Sequence, residues 1–307
     1  MMVKFIVKRL IASIPVVIGS LTIVFLIIHW LPGDPAQMIA GDDAAPDRVA
    51  FLREQFGLNE PLWRQYVSYL WDSARGDFGN SFANSQPVLD RLIAQLPATL
   101  SLTALSTAMA VVIGVVLGVL SAVYKNRFFD YIVRVISLLG VSMPKFWLGI
   151  LLILIFSVHF QLLPAIGNGS FKQLIMPAFA LGVTGAGMLA RMVRNSVLEV
   201  IGEPFVVTLR AKGLTDRIIL YQHVLRNALL PAITVLGLLV GEMLSGAVVT
   251  ETVFSRQGLG KMVVDAINQK DIPVIQAAIL ITALFTVLCN LLVDISYSYV
   301  DPRVRKS

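Results

Sequence analysis

A bilayer core roughly 30 Å thick takes about 20 helical residues to cross, and this chain offers that length of mostly apolar sequence six times. The stretches are 10–31, 97–124, 134–160, 174–193, 229–250 and 274–300. Of its 307 residues 56% are hydrophobic and only 14% charged, a balance that suits a chain whose solvent is mostly lipid. The expected fold is an all-α membrane protein with six transmembrane helices. Lys4, Lys8 and Arg9 precede the first apolar run, as in a secretory leader. That run is long for a leader core, and "WLPGDPAQ" after it has no small-x-small cleavage site, so a retained anchor is expected.

Lys and Arg near the span ends set the orientation. They cluster in the segment 1–9, in the turn 125–133, in the loop 194–228 and in the tail 301–307. All four fall on one side, which should be the cytoplasm, with both termini there. The opposite side holds the acidic loop 32–96, a short loop 161–173 and the segment 251–273. The net charge of +6 is scattered among these short segments, with no continuous basic face or aromatic platform, and nucleic acid is set aside. Cys289 lies inside an apolar run and reads as a core thiol.

Two of the polar segments are patterned. In Gly202–Pro231, Pro204 suits the first turn of a helix, with Phe205, Val206 and Leu209 on one side and Arg210 and Lys212 elsewhere. Gly213 can close that helix in the left-handed conformation. Thr215 with Asp216 then caps a second helix through Ile218, Tyr221, Val224 and Leu225. In the acidic loop, Val49, Leu52 and Phe56 with Phe51, and then Leu62, Tyr66, Tyr69 and Leu70, predict two short helices separated by Gly57 and Pro61. Leu259, Met262, Val263 and Ile267 predict another, at the outer mouth.

Ionisable groups within spans cost roughly 2.5–3.5 kcal/mol at the bilayer centre. Glu242 in the fifth span therefore either lines a path and attracts a cationic or amine-bearing group, or is neutralised or paired for structure. Asp294 in the sixth reads as structural first. His29 and His159 lie near the outer interfaces, where neither needs a metal. Gly114, Gly118, Gly182, Gly185, Gly187, Gly237, Gly241 and Gly246 allow close helix approach. No phosphate-cradling loop, H-E-x-x-H or Cys/His cluster is present, so no enzyme site is expected.

"TLRAKGL" followed by "HVLRNALLP" resembles the cytoplasmic coupling loop of binding-protein-dependent ABC importer permeases, in the dipeptide, oligopeptide and nickel branch. The resemblance continues in order along the chain through "LPGDP", "GDFGNS", "PATLSLT", "SMPKFWLGILLI", "LLPAIG", "MPAFALG", "GAVVTETVFSRQGLG" and "DPRVR". It implies the type I importer permease fold, in a bacterial cytoplasmic membrane, with no cofactor in this chain. ATP and Mg would be bound by two ABC ATPase subunits that receive Phe205, Thr208, Leu209, Arg210, Ala211, Lys212, Gly213 and Leu214. A second, related permease would complete a heterodimer, and an extracytoplasmic solute-binding protein would meet Asp77, Phe78, Arg256 and Gln257. Glu242, Ser245 and Asp294 are the candidates for the translocation path. Arg256 and Gln257 stand where the family usually has an aromatic-proline pair, and Leu209 where a small residue is usual. Cargo stays open between peptides, glutathione-like peptides and nickel complexes. An ion-coupled secondary transporter, marked by inverted repeats and broken midplane helices, is the competing class, and a non-transporting membrane subunit is a further alternative.

Overall fold

The computed structural model describes residues 2–30, 34–40, 44–55 and 57–300. Leu31–Gly33 of "LPGDP", Phe56 and the tail motif from Asp301 lie outside the described residues. The elements run α1 (Met2–Trp30), α2 (Pro35–Ala40), α3 (Pro46–Gln55), α4 (Leu62–Arg75), α5 (Val88–Val123), α6 (Phe128–Ser142) and α7 (Lys145–Leu152). A π-helical turn follows at Ile153–His159, and then α8 (Lys172–Ile201), α9 (Pro204–Ala211) and α10 (Asp216–Ile218). A second π turn, Ile219–Val224, leads into α11 (Leu225–Ala228), α12 (Leu230–Val253), α13 (Leu259–Asn268) and α14 (Ile272–Val300). α1, α5, α8, α12 and α14 are each long and apolar enough to cross a membrane.

The remaining span differs from the continuous helix expected over 134–160. It begins at Phe128 and breaks between Ser142 and Lys145, where α6 and α7 meet at 107°. The cause is local: a residue before proline is driven out of the helical region, and Met143 and Pro144 are both extended, with ψ of 131°. Three other helices outrun their apolar sequence. α1 starts at Met2, ahead of the run expected from Leu10. α5 starts at Val88, taking Pro97 inside it. α8 continues to Ile201 because Arg194, expected in the loop, finds a buried carboxylate partner.

The chain divides into two compact units, one built on Thr99–Arg256 and the other on Val3–Ala98 with Gln257–Val287. In the second unit the acidic loop forms the expected helices α3 and α4 and a shorter one before them. Val49 is buried, but Phe51 and Leu62 stay exposed. After α4, Gly76 takes the left-handed conformation (φ 75°), and the segment up to Val88 is pinned by Asp271. That carboxylate accepts hydrogen bonds from Ser81 Oγ (2.5 Å) and Phe82 N–H (2.9 Å), while Arg91 bonds Ser81 Oγ at 2.8 Å. Around it Val88, Leu92, Leu259, Met262, Ala266, Val274, Ala277 and Ala278 make an apolar core. α13 thus buries Met262 and Ala266 as its inner face and leaves Ile267 exposed, against the expected stripe.

In the first unit α8 is the central rod. Of its most apolar window 61% is buried, against 39% for α5 and 33% for α12. It reaches its neighbours at backbone distance. A Cβ added at Gly182 would sit 2.6 Å from the Ser106 carbonyl oxygen on α5, and one at Gly187 would sit 2.5 Å from the Ser137 oxygen on α6. Backbone cannot give way as a side chain can, so these glycines set the interaxial distance. Gly182→Ala and Gly187→Ala are each expected to destabilise the purified chain by roughly 1–3 kcal/mol through overpacking. Gly19→Ala, whose new methyl meets nothing within 4 Å, should leave thermal unfolding in detergent unchanged.

Candidate coupling loop and translocation path

The basic island folds as a short lever. Glu203 is extended, Pro204 takes the first helical position, and α9 runs for eight residues. Val206 is fully buried, with Phe205, Leu209 and Leu214 packed against the same core as Val193 and Val197 of α8 and Ala232 and Leu239 of α12. Thr208, Arg210, Ala211, Lys212 and Gly213 face outward. The eight candidate contact residues therefore divide: Phe205, Leu209 and Leu214 anchor the lever to its own chain, and the other five form its outer surface. Val207, absent from the sequence candidates, joins that surface at 63% exposure.

Gly213 closes α9 as expected, at φ 83°. Leu214 N–H bonds the Leu209 carbonyl and Gly213 N–H the Arg210 carbonyl, the paired bonds of a Schellman turn. Thr215 departs from its expected role: it is extended but makes no side-chain cap bond, and its carbonyl accepts from Ile219 N–H instead. The second helix winds wider than an α-helix over Ile219–Val224. Widening moves the buried face to Ile219 and Val224, five residues apart, and leaves Ile218 and Tyr221 exposed. The Arg210–Asp216 pair (3.0 Å) is exposed on both sides and contributes at most about 1 kcal/mol.

Beneath this lever, Asp130 is completely buried. It accepts Arg194 Nε at 2.7 Å and Nη2 at 2.9 Å, Ser121 Oγ at 2.6 Å and Asn126 N–H at 3.0 Å. The two-pronged guanidinium bond is the strong, directional kind. One carboxylate thus ties α5, the turn after it, α6 and α8 together.

On α12 a single stripe is left uncovered: Thr234, Leu238, Glu242, Ser245, Val249 and Thr252. These recur at helical spacing, so one face of the helix lacks packing among the described residues. Glu242 and Ser245 therefore lie together. Glu242 Oε1 accepts a hydrogen bond from Lys145 Nζ at 2.8 Å. Asp294 lies on α14, and its side chain is outside the described residues.

The proposed external contacts separate. Asp77 and Phe78 line an open cleft of about 1030 Å³ with Trp63, Tyr69, Trp71 and Phe82, although Phe78 also packs on the core around Val88. Burial raises the Tyr69 hydroxyl pKa above its ordinary value. Gln257 is exposed, but Arg256 is only 4% exposed and so presents no docking surface. Its backbone N–H bonds the Glu251 carbonyl across Ser255, which is left-handed at φ 45°. That turn folds the guanidinium inward onto Ser101 Oγ at 3.2 Å. Burial lowers the Arg256 pKa, with Glu251 opposing the shift.

Residues 2–103 match the family profile described as "Binding-prot-dependent transport system membrane comp, N-term", and residues 114–306 match "Binding-protein-dependent transport system inner membrane component". The chain belongs to the binding-protein-dependent transport system inner membrane components. The permease is 41% identical to the dipeptide transport system permease protein DppB of Alkalihalophilus pseudofirmus, over 99% of this chain and 100% of that one. It is 40% identical to the glutathione transport system permease protein GsiC of Escherichia coli K12, over 99% of each. Among solved structures it resembles the MetNI methionine ABC transporter in inward-facing conformations. The TM-score is 0.61 at 23% identity, over 71% of this chain and 99% of that one, a likeness of fold. It is a multi-pass protein of the inner membrane and a transport subunit.

Three groups that organise the permease escaped the sequence reading: Asp130, Lys145 and Asp271. Each lies next to a turn, and the side chain it chiefly pairs with is far away in the chain, so local spacing does not reveal that pairing. Asp130→Asn strands the Arg194 guanidinium without a counter-charge, and removing one partner of a buried pair costs about 3–5 kcal/mol. Thermal unfolding in detergent should register that loss for Asp130→Asn, whereas Arg210→Ala at the exposed pair should change stability by less than about 1 kcal/mol.

Proposed function

We propose that this permease is one of two transmembrane subunits of an ATP-driven importer for peptides, either di- and oligopeptides or glutathione-like peptides. The observation that carries this reading is its full-length kinship, at about the same distance, with a dipeptide and a glutathione permease. In this reading a related second permease supplies the other half of the path, and a solute-binding protein delivers cargo from outside. Two ABC ATPase subunits hold ATP and Mg. The uncovered stripe of α12 with Glu242 and Ser245 faces the path, and Asp294 is its further candidate on α14.

The outward residues of the lever, Val207, Thr208, Arg210, Ala211, Lys212 and Gly213, meet the ATPase. Nucleotide-driven closure of the ATPases displaces α9, and the displacement passes to α8 and α12 because Val206, Ile219 and Val224 share one apolar core with them. Interfaces of this kind switch between discrete packings rather than deforming continuously. Alternating access follows when the two permease halves rock around a fixed cargo site. Asp77, Phe78 and Gln257 remain the candidates for binding-protein contact.

Reconstitution with the ATPases, the second permease and the binding protein tests the assignment. ATP-dependent uptake of a dipeptide, a tripeptide or glutathione is expected, and no uptake of any of them would overturn the peptide reading. Gly213→Val places a β-branched residue at φ 83°, a strain of order 1–3 kcal/mol, and should loosen the turn. Uptake should fall about tenfold or more while ATP hydrolysis persists, as measured by parallel transport and phosphate-release assays.

A further inference from the structure

Glu242 lies twelve residues into the 24-residue α12, about 18 Å along the helix at 1.5 Å per residue, and therefore near the bilayer midplane. Lys145 reaches the same depth because the third span is broken there, at Pro144, making Lys145 the first residue of α7. Gly246, one turn beyond Glu242, leaves room for the lysine to lie across α12: a methyl at Gly246 would come within 3.0 Å of Lys145 Nζ. The pair is made at 2.8 Å, yet the Glu242 side chain is 49% exposed and that of Lys145 21%. Among the described residues Lys145 is the only side chain bonded to the Glu242 carboxylate. Glu242 thus stands on the uncovered stripe of α12 with Lys145 of α7 against it, at the depth where either charge alone would be most costly.

We propose that Lys145 and Glu242 form an exchangeable salt bridge that recognises zwitterionic cargo, Glu242 taking a free ammonium and Lys145 a free carboxylate. The proposal rests on the peptide-import reading above and adds a criterion for cargo within it. A cation alone would leave Lys145 bare, an anion alone would leave Glu242 bare, and a neutral molecule offers nothing in place of the bond between them. Only cargo that carries both charges opens the pair without stranding a charge at the midplane, and stranding one is the expensive outcome. The termini of an extended dipeptide are roughly 7 Å apart. The unbranched, flexible stems of lysine and glutamate can part by several ångströms to admit them. When cargo leaves, the bridge closes again and the path is electrically neutral.

The test measures weak binding of glycyl-leucine, its N-acetyl derivative and its C-terminal amide to the assembled transporter in nanodiscs by saturation-transfer NMR, with the binding protein omitted. The unaltered permease should favour the free dipeptide over either blocked form by about tenfold. Glu242→Gln should abolish discrimination against the N-acetyl form alone, and Lys145→Gln discrimination against the amide alone. The double exchange Lys145→Glu with Glu242→Lys should restore both. Equal binding of all three probes, no signal with the unaltered permease, or single variants that discriminate as it does would overturn the proposal. ATP-driven peptide uptake, measured on the same preparation with the binding protein restored, reports separately on the peptide-import reading.

Discussion

Helix α8 can approach α5 and α6 only where side chains are missing, and the transmembrane core of this permease follows from that contact. At Gly182 and Gly187 a neighbouring carbonyl oxygen lies 2.6 and 2.5 Å from where a Cβ would be. Lipid tails are as apolar as leucine, so burial gives helices in a bilayer little reason to associate. Close packing and internal hydrogen bonds supply the attraction instead. Toward the lever end the same rod is fixed by the Arg194–Asp130 bond, and a rod held at both levels transmits displacement rather than absorbing it.

The lever inherits that stiffness. Val206 is fully buried, and Ile219 and Val224, brought to one face by the π turn, enter the core that also holds Val193, Val197 and Leu239. A hinge at Gly213 without these anchors would let α9 swing freely, and under the proposed coupling the work of the ATPases would be lost. The outer residues are small, polar or basic, and the one large apolar group among them, Val207, is exposed in a way that suits a partner's cleft. At the midplane the constraint reverses. The broken span and the bare stripe of α12 leave Glu242 half exposed against Lys145, which lipid would not tolerate and a water-filled or partner-lined path would.

Much of this was legible in the residues. Hydropathy marked six spans because lipid demands long apolar runs, and five of them are single helices. Pro204, Gly213 and Gly57 punctuate helices by local backbone rules that need no tertiary context. What stayed hidden depended on distant partners. Nothing near Arg256 indicates that Ser255 turns it inward onto Ser101, and nothing near Arg194 indicates that Asp130 will extend α8 past its apolar stretch. The break at Pro144 was written in the sequence, but the apolar run around it masked the signal. The π turn shifted the buried face of the second loop helix because periodicity was read at 3.6 residues where the backbone winds wider.

The central claim is that lever and rod move as one body. Pulsed electron-spin distance measurement between labels at Met188 on α8 and Thr208 on α9, both exposed, tests it in the assembled transporter with and without ATP. A common body keeps that distance within about 2 Å while labels across the two permeases move further. A change of several ångströms between Met188 and Thr208 on ATP binding would mean that the lever slides over its anchors, contradicting the mechanical link.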